Sequence, residues 1–115
     1  MYLNINKSYY EENDDEITFF LYFRLCTKPE VDNLSIRYTF DDWKTFSDQS
    51  SMNLGWNKYL IKLTINKDGW KNKILKYAIF CDFCGSIWWF NNNEKNFDLK
   101  LESIKSKKDL KCIIF

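Results

Sequence analysis

The sequence predicts a single all-β domain, an antiparallel β-sandwich of about seven or eight strands. Three observations lead to this prediction. Short segments rich in β-branched and aromatic residues recur along the chain, turn signals separate them at regular intervals, and no stretch has the periodicity of an amphipathic helix. The chain of 115 residues is long enough to bury one core and too short for a second domain. We therefore expect residues 1–115 to form one domain.

The predicted strands combine β-branched with aromatic residues, or they alternate apolar with polar side chains. In chain order they are residues 16–25, 34–40, 59–65, 73–83, 87–90, 97–101 and 110–115. The first has the composition of a core strand, whereas the second alternates with a period of two and is expected to be half buried. Turns are predicted at residues 67–69 and 84–86, each around a glycine, and residues 87–90 are expected to form a short hairpin partner after the second turn.

The segments between these strands are polar and are predicted to connect them as loops. The acidic run 11–16 would repel itself as a strand and is expected to form a solvated loop. Pro29 marks a turn or an edge position, and residues 105–109 hold a helical turn at most. Residues 43–57 are expected to form a long loop, which is unusual in that it carries aromatic side chains.

Charge and composition exclude several classes of function. The net charge of +1 creates no field over the whole domain that would attract nucleic acid or an anionic membrane, so neither is an expected partner. The chain has no histidine, which excludes Ser/His/Asp and Cys/His catalysis. The adjacent carboxylates Asp41 and Asp42 point apart at a strand end, so we expect them to cap a loop and not to form a catalytic acid pair. We expect a protein that is no enzyme and that needs neither a metal ion nor another cofactor.

The cysteines and the N-terminus predict a cytoplasmic protein. Only Cys81 and Cys84 form a C-x-x-C pair, while Cys26 and Cys112 lie singly in apolar segments. We expect all of these thiols to stay reduced and to pack as small hydrophobic groups. The first residues lack the basic and apolar regions of a signal peptide, and the apolar segments are too short to span a bilayer.

The run from Trp88 to Asn93 indicates a sugar-binding function. Large flat rings stand beside side-chain amides there. The C–H face of a pyranose ring packs on an aromatic plane, and its hydroxyls need groups that both donate and accept hydrogen bonds. Because successive strand residues point to opposite faces, one of Trp88 and Trp89 is expected in the core and the other on the surface.

A second aromatic loop completes the predicted site. If the loop that follows residues 34–40 lies near this run, Trp43 and Trp89 form a paired platform. The amides expected at its rim are those of Asn91, Asn93 and Asn96. The alternative is that Trp43 plugs the end of the sandwich and the asparagines fill turn positions.

Two motifs in these segments resemble those of the family 21 carbohydrate-binding modules, which occur in glycogen-targeting regulatory subunits of protein phosphatase 1 and in some fungal glucoamylases. The first is the run IRYTFDDWKTF at residues 36–46. The second, at residues 77–97, is an apolar strand, a glycine turn and an aromatic pair before an asparagine run that ends in Asn-Phe. The resemblance covers about residues 17–101. Phe90 departs from it, because the family has an aspartate there.

The resemblance implies an immunoglobulin-like β-sandwich that binds α-1,4-glucan, glycogen or starch, without catalysis. It implies that Trp43 and Trp89 stack on the sugar and that Trp88 faces inward. The residues that it assigns to carbohydrate binding are Trp43, Lys44, Trp89, Asn91, Asn93 and Asn96. It also implies a second binding site, for which this chain offers Trp56 as an aromatic counterpart.

The resemblance further implies that the domain targets a phosphatase or an amylolytic activity to the polymer. Protein phosphatase 1 is then the expected protein partner, through segments outside this chain, because residues 37–40 do not match its anchoring motif. The alternative function is that of an immunoglobulin-like domain for protein–protein interaction, since exposed tryptophans are also common hot spots of interfaces.

Overall fold

The computed structural model describes residues 2–24, 34–83, 85–90 and 96–109, and these residues form strands and short 3₁₀ helices. The strands within these ranges are β1 (Tyr2–Leu3), β2 (Tyr9–Glu12), β3 (Glu16–Arg24), β4 (Leu34–Thr39), β5 (Ser47–Ser50), β6 (Met52–Gly55), β7 (Lys58–Asn66), β8 (Ile74–Phe83), β9 (Ser86–Phe90), β10 (Phe97–Lys100) and β11 (Lys105–Ser106). The 3₁₀ helices span Trp70–Asn72, Leu101–Ser103 and Lys107–Asp109. The last of these agrees with the prediction that residues 105–109 hold a helical turn at most.

The strands form two sheets that pack face to face. The first sheet has the order β11-β2-β3-β7-β6, and β1 also pairs with β3. The second has the order β10-β8-β4-β5, and β9 also pairs with β8. Within the described residues the strands pair antiparallel, apart from the parallel pair β11 and β2. The predicted all-β sandwich is therefore confirmed.

The core lies between the two sheets and is built by residues that alternate along the central strands. Its fully buried side chains from the first sheet are Ile17, Phe19, Leu21, Phe23, Tyr59 and Ile61, and those from the second include Leu34, Ile36, Leu75 and Ile79. Cys81 is also buried here, as expected for a cysteine that packs as a small hydrophobic group. The residues between these core positions point outward, so the outer face of each sheet is available to a ligand.

The prediction of one long loop over residues 43–57 is wrong, because this segment contains β5 and β6. Each is an edge strand: β5 pairs with β4, and β6 pairs with β7. An edge strand needs no regular apolar face, because its polar side chains point to solvent while its backbone pairs with a neighbour. The polar composition of the segment therefore predicted a loop where the backbone forms strands.

The acidic run 11–16 is likewise not a loop throughout. Glu11 and Glu12 belong to β2, and each forms an ion pair at 3.0 Å, with Lys107 and Lys67 respectively. These lysines offset the repulsion between neighbouring carboxylates that argued against a strand.

Some of the predictions concern residues outside the described ranges, namely Cys26, Pro29, Cys84, Cys112 and the C-terminal strand at residues 110–115. In the part of the chain that is described, no helix is long and apolar enough to cross a membrane. The same residues contain no group of three or more His, Cys, Asp or Glu side chains that could hold a metal ion.

Candidate functional site

An open groove of about 310 Å³ runs over the outer face of the second sheet. It is lined by Arg37, Trp43, Ala78, Trp89 and Asn96. Three residues that the sequence assigned to a binding site, the two tryptophans and the asparagine, therefore lie along one groove. They come from the loop after β4, from β9 and from the position before β10, so the fold joins residues that are far apart in sequence.

The floor of the groove is a row of side chains that crosses three strands. Arg37 on β4 is opposite Asp48 on β5 and opposite Ala78 on β8. Ala78 is only 6% exposed, and its single methyl group leaves the space that the groove occupies. Larger side chains, such as Phe80, flank it on the same face of β8, because residues two apart in a strand share a face.

The two strands β9 and β10 occupy the same edge of β8 and meet beside Ala78. Strand β9 ends with Phe90 opposite Ile79, and β10 begins with Phe97 opposite Tyr77. The end of β9 and the start of β10 therefore both lie at the groove. Asn91 and Asn93 belong to the intervening segment 91–95, which lies outside the described residues.

One wall of the groove is the ring of Trp89. It is 43% exposed and lies opposite Phe80, with 5.0 Å between the ring centroids. The neighbouring Trp88 lies opposite the buried Cys81 and hence on the other face of the strand. The predicted alternation is therefore present, but the expectation that Trp88 packs in the interior is wrong, since it is 58% exposed. Strand β9 pairs with β8 at the edge of the second sheet, and a side chain there can stay exposed even on the face that continues the core.

The other wall is Trp43, which sits in a loop with an unusual backbone. Asp42 and Trp43 both have positive φ angles, of 59° and 69°. Non-glycine residues seldom adopt this conformation, and they keep it only where the surroundings hold it in place.

The side chain of Thr39 holds this loop. It is only 2% exposed, and its Oγ1 accepts hydrogen bonds from the backbone N–H groups of Asp41 and Trp43, both at 3.2 Å. Its hydroxyl lies 2.6 Å from both Asp41 Oδ1 and the Thr45 carbonyl oxygen and donates to one of them. Trp43 is therefore presented by a rigid loop that is formed before any ligand arrives.

Asp41 is the second anchor of the loop. Its carboxylate accepts hydrogen bonds from the N–H of Thr45 at 2.9 Å and from the Thr45 hydroxyl at 2.5 Å. The hydrogen bonds from Thr39 and Thr45 lower the pKa of Asp41 to about 2. Asp42 instead pairs with Lys76 at 2.8 Å, which lowers its pKa as well. Both carboxylates are ionised near neutral pH; Asp41 is bound within the loop, as expected for a residue that caps it, whereas Asp42 is paired with a lysine of β8.

Arg37 is a groove residue that the sequence did not single out. Its Nε and Nη2 donate to the two carboxylate oxygens of Asp48, at 2.8 and 3.1 Å. Its Cζ lies 4.6 Å from the ring centroid of Phe46, 5.4 Å from that of Trp89 and 5.8 Å from that of Phe80. The hydrogen bond with Asp48 raises the pKa of Arg37. Because its neighbours in space come from one loop and three other strands, only the strand register reveals this cluster.

Two predicted site residues lie outside the groove. Lys44 is exposed in the loop beside Trp43, and it does not belong to the groove lining given by the described residues. Trp56 lies at the turn between β6 and β7 of the first sheet, with a φ angle of 57° and 87% of its surface exposed. It is free to contact a ligand there, but its sheet is not the one that carries the groove.

Comparison with known proteins gives a structural likeness but no match in sequence. No protein-family model matches the sequence, and no curated protein matches it. The fold is similar to the solution structure of the carbohydrate-binding module of the muscle glycogen-targeting subunit of protein phosphatase-1, with a TM-score of 0.44 and 16% identity over 84% of this chain and 76% of that chain.

Proposed function

We propose that this domain binds α-1,4-glucan, as present in glycogen or starch, in the groove between Trp43 and Trp89 and without catalysis. The observation that carries the proposal is the convergence of two tryptophans and an asparagine, from separate segments, on one open groove. Aromatic walls suit the C–H faces of glucose units, and a side-chain amide suits their hydroxyls.

The charges around the groove favour a neutral ligand. The guanidinium of Arg37 is neutralised by the two hydrogen bonds to Asp48, and Asp42 is paired with Lys76. Neither ion pair leaves an uncompensated charge at the groove. An anionic substrate would find no free cation in these two pairs, whereas a polyhydroxyl chain needs only donors, acceptors and flat apolar surface.

The form of the groove favours a polymer over a small metabolite. It is open to solvent and not an enclosed cavity, so it does not limit the ligand to a small molecule that fits inside. A single groove with two stacking rings gives modest affinity, with dissociation constants on the order of micromolar to millimolar for short oligosaccharides. Several domains or sites on one polymer particle would bind more tightly through avidity.

The other residues that the sequence assigns to carbohydrate binding also contact the glucan. Asn91 and Asn93 hydrogen-bond the sugar hydroxyls, Lys44 contacts the glucan from the loop that carries Trp43, and Trp56 provides a second, separate site. The domain then brings a phosphatase or an amylolytic activity, attached elsewhere, to the polymer.

Binding to another protein is the second candidate function. It is favoured by the exposure of Ile87 and Trp88, 60% and 58%, on the edge strand β9. Large apolar side chains at a sheet edge are typical of surfaces that contact a partner. This surface includes no residue of the groove lining, so substitutions can separate the two candidates.

A pull-down on insoluble amylose and on glycogen tests the proposed function. Wild type, Trp43→Ala, Trp89→Ala and the double variant are compared, with cellulose as the control polymer. We expect retention of the wild type on the α-glucans alone, weaker retention of each single variant and loss in the double variant. No retention of the wild type would refute the function, and full retention of the double variant would refute the site.

A further inference from the structure

We propose that Arg37 is the positioning residue of the groove, and that Asp48 anchors it so that the ring of Trp89 is held ready for a glucan. The predicted effect of Arg37 on glucan affinity rests on the proposed function. Its structural part, the control of Trp89 by Arg37, is measurable without any ligand.

The geometry around Arg37 supports this role. Its guanidinium lies within 6 Å of the centroids of Phe46 and Trp89, at 4.6 and 5.4 Å, which is the range of attractive cation–π contact. Asp48 engages Nε and Nη2 together, at 2.8 and 3.1 Å, and two parallel hydrogen bonds fix the plane of the guanidinium. The fixed plane in turn restricts the rings that pack against it.

Trp89 needs such a restraint because of its place in the fold. It lies on the edge strand β9, one residue before the last position of that strand, and 43% of its surface is exposed. Phe80 contacts the ring on one side, at 5.0 Å between centroids and an angle of 45°. A large exposed side chain that is free to change rotamer loses that freedom when a ligand binds, whereas a restrained ring has already lost it.

The identity of the cation also matters. A lysine would keep the positive charge but could neither bind both oxygens of Asp48 in a plane nor stack flat on a ring. The ion pair at the same time cancels the charge of Asp48 beside the groove. We therefore expect Arg37→Lys to behave like the loss of the guanidinium, not like a conservative change.

A double-mutant cycle tests the coupling. Dissociation constants for maltoheptaose are measured for wild type, Arg37→Met, Asp48→Asn and the double variant, with thermal unfolding to check folding. The loss of a preorganised side chain predicts a decrease in affinity of about 2- to 10-fold for each single variant, and no further decrease when Asp48→Asn is added to Arg37→Met. The matched control is Glu11→Gln, which breaks the 3.0 Å ion pair with Lys107 on the other sheet and should leave affinity unchanged.

A ligand-free measurement completes the test. In protein labelled with fluorotryptophan, the ¹⁹F resonance of Trp89 is assigned with Trp89→Phe and is expected to shift or broaden in Arg37→Met, Arg37→Lys and Asp48→Asn. An unchanged Trp89 resonance in Arg37→Met, or full affinity of Arg37→Lys, would overturn the proposal. The proposal would also be overturned if Asp48→Asn lowered the affinity for maltoheptaose equally in wild type and in Arg37→Met. If wild type binds no glucan while the resonance still shifts, the proposed function fails and the positioning of Trp89 by Arg37 stands.

Discussion

Replacement of Trp89 by alanine should weaken the binding of maltoheptaose by about 10- to 100-fold while the domain stays folded. The ring is 43% exposed. A tryptophan offers about 250 Å² of surface, so roughly 110 Å² of this ring is available to a ligand. At about 25 cal/mol per Å², covering half to all of that area contributes about 1.3 to 2.7 kcal/mol, which corresponds to this range of affinity.

The assay is isothermal titration calorimetry with maltoheptaose, and thermal unfolding of each variant shows whether the fold survives. Trp88→Ala provides a matched control. Trp88 is the preceding residue of the same strand and is more exposed, at 58%, but it lies on the opposite face. Its replacement removes a comparable area of tryptophan from the surface, yet we expect the dissociation constant to stay within about twofold of wild type.

Two outcomes of this comparison would contradict the assignment of Trp89 to the binding site. If Trp88→Ala weakens binding as much as Trp89→Ala, the ligand does not distinguish the faces of β9, and the groove is not the site. If Trp89→Ala keeps wild-type affinity, its exposed area is not covered by the sugar. A lower unfolding temperature for Trp89→Ala alone would reflect the lost contact with Phe80, at 5.0 Å, and is not evidence about binding.

Four further results are expected. Ala78→Leu fills the floor of the groove and should reduce affinity by at least about tenfold, and thermal unfolding followed by circular dichroism shows whether the variant is folded at the temperature of the titration. Thr39→Val leaves the N–H of Trp43 without its acceptor, so it should lower the free energy of unfolding in urea by about 1 to 3 kcal/mol and also weaken binding. Affinity should be constant between about pH 5 and 8, because the pKa of Asp41 is lowered to about 2 from 3.8. The stability that the ionised Asp41 gives to the loop is complete above the ordinary pKa of 3.8 and is lost as the pH falls towards 2. Titrations at lower pH should therefore show binding and stability declining together. Raising sodium chloride from about 50 to 500 mM should change the dissociation constant by less than about twofold, because the ligand is neutral.

The central strands could be predicted from the sequence because their pattern is set by burial. Strand β7 spans Lys58–Asn66 and β8 spans Ile74–Phe83, close to the predicted residues 59–65 and 73–83. Each has its core side chains at every second position, and that periodicity is visible in the sequence alone. The edge strands β5 and β6 have no such pattern. They exist because β4 and β7 present unpaired backbone groups, and a chain's own sequence does not show which neighbour it will meet.

The residues of the candidate site also fall into two groups, those that the sequence indicates and those that only the fold reveals. Trp43, Trp89 and Asn96 stood out because aromatic and amide side chains in loops suggest a ligand. Arg37 and Ala78 did not, because an arginine and an alanine in strands have no unusual feature in sequence. They become neighbours through the pairing of β4 with β8, across 41 positions of the chain. Trp88 was misjudged for a related reason, since alternation predicts the face of a residue but not whether anything covers that face.

The groove exists because one outward position on β8 carries a small side chain. On the same face, Phe80 already packs on Trp89, so a bulky residue at position 78 would continue that contact and close the space between the tryptophans. Two tryptophans at the surface, one half-buried and one exposed, are by themselves compatible with packing or with a protein interface. Two rings held apart by an alanine, one by the Thr39 loop and the other beside Arg37, leave room for a flat ligand between them. The Ala78→Leu variant therefore distinguishes these interpretations more directly than removal of either ring, because it leaves both tryptophans in place.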